Sequence, residues 1–69
     1  MGESMKRWET RGGKYAIEAN GTTVSEYTNG RETAFSVGHA DMAAAVKEAE
    51  RRVALYASFD KINFKEVVR

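Results

Sequence analysis

Few residues in this chain have the chemistry for a reaction, and their spacing limits what each could do. His39 is the only histidine. An imidazole acts as a catalytic base when a hydroxyl or thiol lies within reach and a third group orients the ring. The chain has no cysteine and His39 has no evident hydroxyl partner, so it is read as a loop residue that helps to start a helix. Glu9 and Glu18 could form the carboxylate pair of a glycosidase-type site. In the register derived below, however, Arg7 falls directly opposite Glu18, and a cross-strand ion pair is the plainer reading. The same register sends one charge, Glu26, toward the helix side, beside Tyr15 and Thr33. Buried, it would be a functional candidate with a raised pKa. Because Glu26 lies near a strand end and unpaired carboxylates are almost never buried, it is expected to reach solvent. Gly12-Gly13, Asn20-Gly21 and Asn29-Gly30 fit neither GxGxxG nor GxxxxGK and receive no phosphate-binding role. No catalytic residue, cofactor site or metal site is expected, and the chain reads as a non-enzymatic protein.

Two groups of residues could instead make a binding surface. Arg7, Arg11, Lys14 and Tyr27 share an open sheet face and could hold single-stranded nucleic acid by charge and stacking. Glu9, Glu18 and Glu32 lie on that face as well and would repel phosphate. The second group is apolar. Leu55 falls on the polar side of the helix, and Phe59, Phe64, Val67 and Val68 belong to a C-terminal stretch with no assured place in a core. An apolar terminal strand beside an open sheet edge is a common route to a dimer or to capture of a partner strand. Protein contact, with a homodimer as the expected state, is therefore the first reading, and nucleic-acid binding is the alternative.

Composition narrows the classes further. Sixty-nine residues allow one domain with one small core, near the size at which unstapled domains become marginal. Eleven Lys and Arg against ten Asp and Glu leave a net charge of +1, without the basic excess of a nucleic-acid footprint. The absence of cysteine excludes a disulfide framework and a thiolate metal site. No apolar run approaches the roughly 18 to 20 residues of a membrane span, and Met1 to Arg7 lacks the apolar stretch of a signal peptide. A cytoplasmic protein is expected. Its size and economy fit the regulators and inhibitors encoded by phages and other mobile elements.

The elements that must position these residues are marked by the three Gly-containing dipeptides. Each is flanked by residues alternating in polarity, the pattern of hairpins closed by two-residue turns whose central positions need positive φ. Four strands follow, at Met5 to Arg11, Lys14 to Ala19, Thr22 to Thr28 and Arg31 to Val37. Pairing Arg11 with Lys14, Ala19 with Thr22 and Thr28 with Arg31 aligns Trp8, Ile17, Val24 and Phe35 in one apolar row. The opposite face carries Arg7, Glu9, Lys14, Glu18, Ser25, Tyr27 and Glu32 and is expected to be wet. Asp41 is a suitable N-cap for a helix from Met42 to Ala57. Met42, Val46, Ala49, Val53 and Tyr56 recur there at helical spacing, and Lys47, Glu48, Arg51 and Arg52 face outward. Lys61 to Val68 reads as a fifth strand that could join either sheet edge or another copy.

The expected fold is thus α+β: a four-stranded antiparallel meander covered on one face by one α-helix, with a C-terminal strand, ββββαβ. Residues 1–4 are expected to be flexible and 5–69 to form the single domain. From about Met5 to Ala57 the element order resembles that of the PC4-like single-strand-binding domains, which implies a nucleic-acid role for the open sheet face. The resemblance covers element order alone.

Overall fold

The computed structural model describes residues 5–67; the expectation for residues 1–4, and Val68, lie outside the described residues. Strands β1 (Met5–Thr10), β2 (Tyr15–Asn20), β3 (Thr23–Thr28) and β4 (Arg31–Ser36) are followed by helix α1 (Met42–Phe59) and strand β5 (Phe64–Val67). A short 3-10 turn, Arg11–Gly13, joins β1 to β2. All strand pairs are antiparallel, in the order β4-β3-β2-β1-β5. The ββββαβ arrangement is the one the sequence implies. β5 takes the β1 edge of its own sheet, with Thr10 opposite Phe64 and Arg7 opposite Val67.

The three turns differ in how they set register. The first keeps the expected register, Trp8 opposite Ile17, but Arg11 and Lys14, expected to pair as strand ends, lie in a longer turn between Thr10 and Tyr15. In the third, Asn29 and Gly30 both have positive φ, at 54° and 80°, as a tight hairpin turn requires. The second departs from expectation. Asn20 pairs with Thr23, so Gly21 and Thr22 form the loop, and Gly21 alone supplies the positive φ, 61°. The ladder slides by two residues: Val24 meets Ala19, and Glu26 meets Ile17. Because side chains alternate with period 2, a slip of two keeps Val24 on the helix side.

A larger correction concerns β4. Thr28 pairs with Arg31 and Tyr27 with Glu32, but Glu26 then meets Ala34 and Ser25 meets Phe35. Thr33 is the additional residue of a β-bulge, which shifts the remainder of β4 by one position. A shift of one reverses faces, so Ser36, not Phe35, stands opposite Val24. Phe35 leaves the expected apolar row and is 63 % exposed.

The core is correspondingly small. Trp8, Ile17, Ala19, Val24, Ala45 and Ala49 are buried together, with Met42, Val46, Val53, Tyr56 and Phe64 packed around them. Ala45 and Ala49 let α1 approach β2 and β3 closely. Asp41 caps the helix by accepting a 2.8 Å hydrogen bond from the Ala44 amide, satisfying one of the donors that a helix start leaves free. Helix α1 runs to Phe59, two residues beyond the expected end. The opposite sheet face is drier than expected: Ala16 is 2 % and Ser25 9 % exposed.

Candidate interaction surface

The outer sheet face is organised around Arg7. Its guanidinium donates to Glu9 at 2.6 Å and to Glu18 at 2.7 Å, and lies 5.3 Å from the centre of the Tyr27 ring. The hydrogen bond that Arg7 donates to Glu9, opposed by burial and supported by the bond to Glu18, raises the Arg7 pKa above its ordinary value. This arrangement contains the expected Arg7–Glu18 pair and shields Ala16, which lies across from Glu9 and Tyr27. Arg11 and Lys14 stand apart, exposed at the first turn, with Lys14 Nζ 5.2 Å from the centre of the Tyr15 ring. The four candidate nucleic-acid residues therefore form two separate groups. In one of them the guanidinium is already neutralised by two carboxylates.

On the helix side, Glu26 is neither unpaired nor turned out to solvent. Tyr56 Oη donates to one of its oxygens at 2.5 Å and Arg52 to the other at 3.0 Å. Arg52 also donates to Ser36 Oγ at 2.9 Å, which lies 3.0 Å from His39 Nε2. Expected on the outer helix face, Arg52 instead reaches over the sheet and ties α1 to β3 and β4. The hydrogen bond to Glu26, together with burial, pushes the Tyr56 hydroxyl up to about 12. His39 thus has the hydroxyl partner that the sequence did not reveal. No group orients its other ring nitrogen among the described hydrogen bonds, and Ser36 Oγ already accepts from Arg52. The arrangement acts as a polar clamp between layers.

The apolar candidates divide. Leu55 is 40 % and Phe59 77 % exposed, and they line one hollow with Arg52, Tyr56 and Asp60. Phe64 turns inward, its ring 5.9 Å from that of Tyr56, and so contributes to the core. Val67 is half-buried at the end of β5.

Two further apolar side chains join Leu55 and Phe59. Phe35 is 63 % and Val37 66 % exposed, and both belong to β4 or the residue after it. On a helix of 3.6 residues per turn, Leu55 and Phe59 lie within about 60° and about 20° of Arg52. Arg52 is the residue that reaches Ser36 on β4. Phe35, across from Ser25, therefore lies on the outer sheet face, whereas Leu55 and Phe59 lie in the helix layer, on the flank from which Arg52 reaches β4. Arg31 to Phe35 are all exposed, and among the described residues the outer edge of β4 has no partner strand. Sequence reasoning missed Phe35 and Val37 as surface residues because no dipeptide marks the bulge that turns Phe35 outward.

No protein-family model matches this chain, and neither a curated protein nor a solved structure does.

Proposed function

We propose that this protein is a non-enzymatic regulator or inhibitor that works by protein–protein contact through its β4 side. The observation that carries the reading is the exposure of Phe35, Val37, Leu55 and Phe59, the first two on or next to an edge strand that has no partner strand among the described residues. Scattered single apolar residues on a surface need no explanation, whereas exposed apolar residues on an edge strand with free backbone donors and acceptors mark a contact surface. Docking a partner there would cover apolar area and pair the edge at once. The outer face supports nucleic-acid binding less well, because phosphate would have to displace Glu9 and Glu18 from Arg7.

Site-specific photo-crosslinking in the native cell tests the proposal. A photoreactive residue at Val37 or Phe59 is expected to give discrete protein adducts, while one at exposed Glu50, on the opposite helix flank, gives none. Equal labelling from all three positions, or none from any, would overturn the reading.

A further inference from the structure

We infer, resting on the contact reading above, that the partner presents a carboxylate-rich polypeptide segment, received at the end of the sheet where the β1–β2 turn meets the α1–β5 connection. Four cations of this chain are already engaged: Lys6, Arg7, Arg51 and Arg52 all pair with glutamates. Arg11, Lys14, Arg31, Lys61 and Lys65 make no ion pair among the described residues, and all five are exposed. The topology brings them to one end. Arg11 and Lys14 flank the glycines of the first turn, and the Asn29 amide of the third turn donates to the Lys14 carbonyl at 2.7 Å. Arg31 lies across from Thr28, itself across from Tyr15. Phe64 stands across from Thr10, which brings Lys65 and the stretch from Lys61 to the same place. Lys47, also without an ion pair among the described residues, sits about 18 Å of helix away from the end of α1.

One hollow at this end suits a carboxylate. It is lined by Thr10, Arg11, Lys14, Tyr15, Ile62 and Asn63, with no acidic side chain among them. Lys14 Nζ rests 5.2 Å from the centre of the Tyr15 ring, a contact that places the ammonium and leaves its N–H donors free for an anion. Arg11 adds a planar fork that matches a carboxylate. Glu9 is held by Arg7, so the carboxylates left at this end are Glu32 and Asp60. The C-terminus of α1 adds about half a negative charge, and the five cations exceed the sum. The excess is local, since the whole chain carries only +1. These signs separate two kinds of polyanion. A nucleic-acid backbone is charged at every repeat and would meet Glu32 and Asp60 as well as the cations. Its bases seek rings to stack on, and the one ring in the hollow, Tyr15, already carries Lys14 on a face. A polypeptide sets carboxylates against the cations and other residues against Glu32 and Asp60. Arg31 opens β4, so the cations continue into the strand that carries Phe35. The hollow at Tyr15 lies two strands from β4, about 10 Å, within the span of one partner.

Titration of the full chain with a fluorescent oligoglutamate peptide, and with a single-stranded oligothymidylate of equal charge, tests the inference. Wild type is expected to bind the peptide more tightly than the oligonucleotide, and less tightly as salt is raised. Arg11→Gln combined with Lys14→Gln should weaken peptide binding about fivefold to tenfold, the effect of losing two exposed ion pairs. Lys47→Gln should leave it unchanged. All three side chains are exposed, so thermal melting of the variants should match wild type and separate loss of binding from loss of folding. No peptide binding by wild type, or an equal loss in Lys47→Gln, would overturn the inference. So would tighter binding of the oligonucleotide that the paired substitutions abolish, which would assign this end to nucleic acid. Crosslinking in the native cell keeps the two readings apart. With the photoreactive residue at Val37, the discrete adduct should weaken in the Arg11→Gln, Lys14→Gln background. An undiminished adduct would remove the acidic partner and leave the contact reading intact. Peptide binding without any adduct from Val37 or Phe59 would remove the contact reading and uphold the carboxylate-binding end.

Discussion

At the scale of single residues, stability depends on few side chains, and each has a definable cost. Trp8 is 6 % exposed and is the largest member of a core otherwise made of Ile17, Val24 and alanines. Trp8→Ala should cost about 3–5 kcal/mol, the usual range for truncating a buried aromatic. For a domain this small that means loss of cooperative unfolding in a urea titration followed by circular dichroism. A variant that still unfolds cooperatively with an unchanged midpoint would contradict this account of the core. Two titrating groups give opposite pH signatures. Hydrogen bonds from Arg51 and then Arg52 hold the Glu48 carboxyl down at about 2, from an ordinary value of 4.5. A group whose pKa falls on folding stabilises fully above its unfolded pKa and loses that contribution as pH drops toward the folded one. Urea midpoints between pH 5 and 2 should therefore fall less steeply for Glu48→Gln than for wild type. Tyr56, raised to about 12 by Glu26 and by burial, behaves in the reverse sense. Its contribution is complete below pH 10 and disappears as the pH rises toward 12, a loss that Tyr56→Phe should not show. At neutral pH the same variant should cost about 1–3 kcal/mol for a hydroxyl bonded to a charged acceptor, measured by urea denaturation.

At the scale of elements, the turns act through backbone conformation more than through contacts. Gly21 and Gly30 have φ of 61° and 80°, and nothing lies within 4 Å of where a Cβ would stand. A side chain at either position meets open space, so the cost of Gly21→Val or Gly30→Val is the left-handed backbone itself, about 1–2 kcal/mol. Replacement by D-alanine, for which positive φ is favourable, should leave the thermal midpoint at or above the wild-type value. A large loss with D-alanine would show that these turns do something other than permit positive φ. The bulge at Thr33 acts differently. By turning Ser36 inward it provides the hydroxyl that Arg52 and His39 share, and by turning Phe35 outward it reduces a core that is already small. β4 thus contributes more to surface than to interior.

At the scale of the whole molecule, β5 has a structural role. It closes the β1 edge, and Phe64 packs against Tyr56. A chain ending at Asp60, which keeps Phe59, loses the ladder to β1 and one wall of the core. It should melt at lower temperature and associate more, through an edge that is now open. Sedimentation with thermal melting checks both effects. A truncated chain as stable as the whole, with association abolished, would instead make β5 the interface. The two sheet edges are therefore unequal: one is covered by the chain's own C-terminal strand, and the other is left with apolar neighbours and no partner among the described residues.

Local chemistry was enough to determine much of this fold from the amino-acid sequence. Glycine and asparagine at three turns, alternation between them, Asp41 before the helical stripe and Arg7 across from Glu18 are short-range features. The identities of adjacent or directly paired residues dictate each of them. Tertiary structure decided the remainder. The Asn20-Gly21-Thr22 stretch can close as either of two turns differing by two in register, and packing chose the one that sets Val24 over Ala19. The extra residue in β4 has no local signature. Its effect, exchanging Phe35 for Ser36 on the helix face, depends on Glu26 and Arg52, which lie 26 positions apart in sequence. The candidate surface was half legible for the same reason. Leu55 could be placed outside by helical spacing, and Phe59 was left without a place in the core, whereas Phe35 joined them only because the bulge in β4 turns it to the outer face.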